Sequence, residues 1–357
     1  MKRSIFLLRW ANVLLVLFSF LAYVSPYISP AVFWPLSFLG LVFPLLLLLN
    51  VVFVLFWVLI RKRYFVFSLL TLLIGWGYIL SFVGFGNNRP QPVEAGSFKF
   101  TSFNAHSIVP NKEALNQERN KVYGEFADFI AQENAHVFCF QEVPNLPRAI
   151  RKSQDQTNTP VDPAYQILQD RGGLGILTNL PVLKTRSNYF DYRTNGYQWA
   201  DLQLNDEQVI RVFNLHLQSN GITDMTKDVA SNGNLREKRT WKSIKNIMGQ
   251  YKRAAQRRAK QVEEVLEAIR KSPHPVVICG DLNDVPASYA YRIFSENLQD
   301  AFKEKGGGWA TTYTGPIPGL RIDYIFVSHR FEVNSFYTGK RNFSDHKPVS
   351  TIIRPKP

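Results

Sequence analysis

Residues 275–288, PVVICGDLNDVPAS, decide how the larger part of this chain is read. The apolar run is too short for a helix and rich in β-branched residues, so it reads as a buried strand. It stops abruptly at Asp281, Asn283 and Asp284. Such residues end strands for turn reasons alone, so one polar end decides nothing. The arrangement recurs, however. Asn104 closes FKFTSFN (98–104), and Gln141 and Glu142 follow HVFCF (136–140). Asn214 and His216 lie in VIRVFNLHL (209–217), Asp323 in IDYIFVS (322–328), and Asp345 and His346 in FSDHKP (343–348). Sheets joined by helices place their sites at such strand ends.

Working outward, GILT (175–178), WADLQL (199–204) and VSTIIR (349–354) add further strands. Val122, Phe126, Phe129 and Ile130 share one face of a helix near 116–133. Ala255, Ala259, Val262, Val265, Leu266 and Ile269 do the same near 252–271. Many strands with few helices between them predict an α+β fold of two packed sheets flanked by helices. No repeat is visible.

The first 90 residues have a different composition. They contain no Asp or Glu, and Lys2, Arg3, Arg9, Arg61, Lys62, Arg63 and Arg89 carry half of the chain's net charge of +14. The bulk charge therefore does not argue for a nucleic-acid partner. Residues 10–60 lack any charge, which is too long for one span of about 20 residues. The pattern predicts membrane spans near 10–26, 36–60 and 64–85, then a linker at 87–97 and a catalytic domain at 98–357. A cleaved signal peptide is the alternative for the first span, but residues 24–26 offer no small-x-small site. Basic residues at 2–9 and 61–63 keep those ends cytoplasmic. Three crossings then put the catalytic domain outside, in a bacterium on the periplasmic face of the inner membrane.

Between Lys227 and Lys260 eleven Lys/Arg face two Asp/Glu. This stretch is either a solvated helix or a surface for lipid head groups or a polyanion. Cys139 and Cys279 sit in apolar runs and read as buried thiols, with a disulfide open if their strands are neighbours. Their spacing excludes a thiolate zinc site.

Carboxylates, amides and imidazoles gathered at strand ends suit water attack on a phosphoester. An oxygen-rich site around Glu142 fits Mg²⁺, or Mn²⁺, with room left for substrate oxygens. A His–Asp pair would move the proton, the carboxylate fixing the imidazole tautomer.

SFNAHS, FQEV, GGLGILT, NLHLQS, GDLNDVPAS, RIDYIFVS and SDHKPV, in that order from Phe98 to about Ile353, resemble the endonuclease/exonuclease/phosphatase superfamily. That superfamily includes deoxyribonucleases, abasic-site endonucleases, neutral sphingomyelinases and inositol-polyphosphate phosphatases. The resemblance implies a deoxyribonuclease-like four-layer α/β/β/α sandwich and hydrolysis of phosphodiester or phosphomonoester bonds. It implies Glu142 as principal metal ligand, with Asn104 and Asp345 assisting. His216 would contact the scissile phosphate, and Asp281 would orient or activate the water. Asn283 would position nucleophile and phosphate, and Asp323 would orient His346, the general base or transition-state stabiliser. The helix carrying Arg258 and Gln261 resembles a segment that braces the GDLN strand.

Abasic-site endonucleases carry an aromatic residue ahead of the glycine-rich strand. Here Arg171 stands near that position, a phosphate-binding candidate or a solvated side chain. Gln141 reads as a structural neighbour. His106, His136, His274 and His329 match no required position and read as surface or locally satisfied. The substrate is open between nucleic acid and, for a sphingomyelinase-like enzyme, a phospholipid head group. No obligate protein partner is evident. The reading from another class is a non-catalytic, membrane-tethered protein that binds a phospho-ligand.

Overall fold

The computed structural model describes residues 2–356 apart from 109–115, 157–160, 171, 192–193, 235, 316–318 and 341–342. The chain divides into two compact units. One gathers residues 1–83, 220–260 and 284–293; the other gathers 84–219, 261–283 and 294–357.

The second unit is a mixed α+β sandwich of two six-stranded sheets. The first sheet runs Phe331–Thr338, Val349–Pro355, Phe98–Asn104, Val137–Gln141, Gly175–Thr178, Gln166–Leu168. The second runs Gln299–Asp300, Asp323–Val327, Val276–Asp281, Gln208–His216, Asn195–Asn205, Val182–Asp191. Each sheet has one parallel pair among its described neighbours, Phe98–Asn104 with Val137–Gln141 and Gln208–His216 with Val276–Asp281. Parallel neighbours need a long crossover. Helix Asn116–Glu133 lies in the first crossover, and helices Thr223–Asn232 and Lys238–Arg270 in the second. Both members of each pair therefore finish at the same end of their sheet.

Alternation along the strands makes the core. Phe98, Phe100, Val137, Cys139 and Ile176 of the first sheet join Val212, Val277, Cys279 and Ile325 of the second in one buried cluster. Cys139 and Cys279 are free thiols within it. The other face of the first sheet packs Phe103, Phe138 and Phe140 against Phe126, Phe129 and Ile130 of helix Asn116–Glu133. Each such side chain removed from water contributes about 1.5–3 kcal/mol. Strands Val182–Asp191 and Phe331–Thr338 do not stand out in the sequence. Both are edge strands, where neighbours bury only part of the pattern.

In the first unit, helix Lys2–Val24 comes first. The expectation of about three spans is corrected here: among the described residues one helix, over Arg3–Tyr27, is long and apolar enough to cross a membrane. The second expected span is broken by a 62° bend between Pro35–Leu41 and Phe43–Leu59, so it counts only if the bent pair is one span. Pro35 and Pro44, which lack an amide donor, start its two helices. The third is only Phe65–Ile74, which stops at Gly75. Residues 83–85, assigned to its end, instead form strand Val83–Phe85.

These helices bury Leu15, Phe43 and Trp57, yet they also leave many apolar side chains exposed while burying several polar ones. Leu7, Leu17, Leu48, Leu55, Leu59 and Leu73 are exposed, whereas Asn12, Ser19, Asn50 and Ser68 are buried. Several of the buried groups pair with one another, although Asn50 Oδ1 has no hydrogen-bond partner. Asn12 Nδ2 donates to Ser68 Oγ at 2.6 Å, Trp57 Nε1 to Asn12 Oδ1 at 3.0 Å, and Asn50 Nδ2 to Ser19 Oγ at 2.8 Å.

Candidate active site at the strand ends

Three neighbouring strands of the second sheet put their polar residues at one height. His216 pairs with Asp281 across the parallel ladder, and Asp281 with Asp323 across the antiparallel one. In the first sheet Asn104 is level with Gln141, and Glu142 follows directly. Asn104 links the sheets, its Nδ2 donating to Glu142 Oε1 at 3.0 Å and to Asp281 Oδ2 at 3.1 Å. The turns that end two strands are left-handed at Glu142 (φ 55°) and Asn283 (φ 51°). Left-handed backbone is costly for non-glycine residues and is kept where the surroundings over-determine it.

Asp281 is buried, and its Oδ1 accepts the Asn283 amide at 2.7 Å. Asn283 Nδ2 donates to the Leu217 carbonyl at 3.0 Å. His346 Nδ1 lies 3.1 and 3.0 Å from the two Asp323 oxygens, which fixes its tautomer and leaves Nε2 3.8 Å from Asp281 Oδ2. His216 Nδ1 contacts the Thr194 carbonyl at 3.1 Å. Its Nε2 is buried without a hydrogen-bond partner, 3.5 Å from Glu142 Oε1 and 3.8 Å from Asp281 Oδ2. An orphaned buried nitrogen is costly, and it points to a group that the site takes up.

Electrostatics separate the carboxylates. Burial raises the Asp281 pKa, and the Asp323 charge adds to this, bringing it to about 6. Burial alone would raise Glu142 too, but the His106 hydrogen bond, His216 and Asn104 outweigh it and hold the carboxyl at about 2. Burial disfavours the charged form of His346, yet the Asp323 and Asp281 carboxylates push it up to about 10.

All eight residues expected as metal or catalytic groups, Asn104, Glu142, His216, Asp281, Asn283, Asp323, Asp345 and His346, belong to this one unit. Contacts join Asn104, Glu142, His216, Asp281, Asp323 and His346 directly. Asn283 and Asp345 connect through Asp281 and His106. Arg171 lies outside the described residues. Gln141 hydrogen-bonds Asn214 Oδ1 at 2.7 Å within the core. Arg258 Nε reaches Asp284 Oδ2 at 3.1 Å, and Gln261 Oε1 accepts the Gln218 amide at 2.8 Å.

His106, read from the sequence as surface or locally satisfied, lies beside the cluster. His106 Nδ1 is 3.4 Å from Glu142 Oε2 and 3.7 Å from Asp345 Oδ1. The available signal was its place two residues beyond the strand-ending Asn104, in the turn that the Asn104 side chain caps by accepting the His106 amide at 3.1 Å.

Residues 101–346 match the Endonuclease/Exonuclease/phosphatase family. The chain belongs to that family. Residues 3–82 match a Domain of unknown function (DUF8431). Among solved structures, the endonuclease/exonuclease/phosphatase from Bacteroides vulgatus is similar at 16% identity and TM-score 0.51, covering 73% of this chain and 99% of that one. A D. rerio TDP2 humanized by 14 mutations is similar at 14% identity and TM-score 0.50, covering 73% and 100%. At such identity these likenesses speak for the fold. No curated protein matches the chain. Membership in the endonuclease/exonuclease/phosphatase family supports a phosphoesterase-type hydrolase.

Among the described residues one group of three donors could hold an ion. Asp281, Asp323 and His346 offer atoms within 4.8 Å of one another, but both Asp323 oxygens already engage His346 Nδ1. Glu142 is a held, ionised carboxylate whose side chain is 28% exposed, with the orphaned His216 Nε2 beside it.

Proposed function

We propose that the chain is a membrane-anchored, divalent-metal-dependent phosphodiesterase whose site faces outward, with catalytic residues carried by the segment 98–357. The observation that carries the chemistry is the level row His216–Asp281–Asp323 facing Asn104 and Glu142. Glu142, with Asn104 and Asp345, would hold Mg²⁺ or Mn²⁺. A divalent ion held there would offset charge developing on the phosphoryl oxygens. Asp281, with its pKa raised to about 6, is poised near neutrality to take a proton from the attacking water. Asn283, fixed at Leu217, orients that water. His216 Nε2 would meet a phosphoryl oxygen. His346, locked by Asp323 and protonated at neutral pH, donates toward the same charge.

The anchor reading rests on which side chains the first unit exposes and buries. Exposed leucines, together with buried Asn and Ser that largely pair with one another, suit helices in a lipid environment. With Lys2, Arg3 and Arg9 retained inside, the crossing at Arg3–Tyr27 leads outward. A lipid head group is the second reading of the substrate, because the basic stretch 227–260 falls in the same compact unit as these helices.

Bacterial spheroplasts expressing the full chain should hydrolyse externally added bis(p-nitrophenyl) phosphate. EDTA should stop the reaction, and the activity should stay with the membranes after a carbonate wash. EDTA-resistant turnover would sink the metal requirement, and activity released by the wash would sink the anchor.

A further inference from the structure

We infer that the cavity beside edge strand Phe331–Thr338 is a binding site for a small zwitterion that carries a primary ammonium group. The cavity measures about 340 Å³, at the lower end of the range for small-molecule sites. Its walls are the edge strand, helix Ala301–Lys305 and the segment 86–97. That segment is pinned in place. The Gly86 amide donates to the Gly306 carbonyl at 2.8 Å, and Asn88 Oδ1 accepts the Thr338 amide at 2.8 Å. Arg354 donates to Ser97 Oγ at 3.2 Å and to Glu94 Oε2 at 2.6 Å. Ile352 lines the cavity and pairs with Lys99, at the start of the strand that ends in Asn104. At about 3.3 Å per residue, the cavity lies roughly 15 Å along that strand from the strand-end site.

Two unpaired atoms point to a ligand. Asn334 Oδ1 and Ser335 Oγ are buried with no hydrogen-bond partner, and both residues line the cavity. Ser335 is only 6% exposed. Successive residues of a regular strand point to opposite faces, so these neighbours should not share one cavity. Here the register slips between Val333 and Ser335, and the alternation of buried and exposed residues breaks at the same place. Such a bulge re-aims side chains, and bulges recur at sheet edges and beside sites. Leaving two buried polar atoms unpaired is costly. Rotation about one or two side-chain bonds turns each of them toward a donor in the cavity.

The open atoms set the chemistry of the ligand. An amide oxygen only accepts, so Asn334 Oδ1 calls for an N–H or O–H donor. A primary ammonium brings three donors, enough for Asn334, Ser335 and the Glu304 carboxylate. Glu94 is already engaged by Arg354, which leaves Glu304 and Lys305 as lining charges of opposite sign. Lys305 would take the carboxylate or phosphate of the same ligand. Pro92 and Ile352 offer apolar contact to the carbon chain between the two charges. A bare anion would find Lys305 but leave Asn334 Oδ1 without a donor.

Calorimetric titration of full-length protein in a maltoside detergent with EDTA tests this. The probes are glycine and O-phosphoethanolamine, each set against its trimethylated counterpart, glycine betaine and phosphocholine. The counterparts keep the charges but lack the N–H donors, so they should bind about tenfold or more weakly. Tighter binding of glycine would name a free amino acid as the ligand type, and tighter binding of O-phosphoethanolamine a lipid head group. Asn334→Leu and Ser335→Ala should each weaken the better probe about tenfold. Neither should lower the melting temperature of the unliganded protein, since each removes an unpaired polar atom. Turnover of bis(p-nitrophenyl) phosphate should stay within about twofold in both variants, which separates this cavity from the strand-end site. Equal binding of a probe and its trimethylated counterpart would overturn the inference. So would affinity unchanged in both variants, or no binding of either probe.

Discussion

Strand Phe98–Asn104 has polar groups at both ends, and the two ends follow opposite rules. At its start, Lys99 and Glu133 form a buried ion pair at 2.9 Å, with side chains 6% and 8% exposed. Lys99 also donates to the Glu133 carbonyl, and Tyr337 and Ser350 hydroxyls donate to Glu133 Oε2. At its finish, Asn104 leads to Glu142, which is partly exposed, and to His216 Nε2, which has no hydrogen-bond partner. A buried charge whose partners are complete makes its partners structurally necessary, because removing one leaves the other uncompensated. A charge whose neighbourhood is left incomplete is available to a ligand. Polarity at a strand end therefore says little until its partners are counted.

The largest expected effect lies at the open end. Glu142→Ala in full-length protein should lower phosphodiester turnover by on the order of 10³–10⁴, because several kcal/mol of charge stabilisation go with the ion. Thermal unfolding without metal should hold steady or rise, since crowded polar sites trade stability for function. A clear drop in melting temperature would mean that both ends of the strand are structural. At the closed end, Glu133→Ala strands Lys99 without a counter-charge and should cost about 3–5 kcal/mol. The turnover of each folded molecule should stay within about twofold, as a change at a distant independent site does. Loss of turnover at retained stability would break the contrast.

Much of this contrast was legible in the sequence. The strands ending in Asn104, Gln141, His216 and Asp281 could be read because buried strands are apolar until they stop, and the stop is abrupt; Asp323 marks the start of its strand in the same way. Lys99 and Glu133 could not, since pairing across 34 residues leaves no local pattern. The place of His106 beside Glu142 could not be read either, because it depends on three left-handed residues in a row, which no side-chain periodicity announces. The broken apolar helices failed differently. Hydropathy counts apolar residues, but the bend between Leu41 and Phe43 and the stop at Gly75 are backbone events. Edge strand Val182–Asp191 was obscured by its half-exposed side, where Leu183 faces water.

The smallest expected effect sharpens the comparison from the closed end. His136 Nδ1 accepts the Lys99 amide at 3.0 Å, which requires that nitrogen to be unprotonated. Burial lowers its pKa first and the Lys99 charge lowers it further. The folded state therefore binds this proton less readily than the unfolded chain, where histidine titrates near about 6.5. The resulting stability is fully present above that value and is lost as pH falls through it toward the lowered folded value. His136→Asn keeps an oxygen acceptor near the position of Nδ1 but cannot ionise there. Melting temperatures of the two proteins between pH 7 and pH 5 should show a shallower acid-side loss for the variant. Their turnover profiles should coincide, because the proton concerned sits at the end of the strand opposite the site. Equal acid slopes would show that the Lys99 end is insensitive to this proton. A shifted turnover profile would show instead that the two ends communicate along the strand.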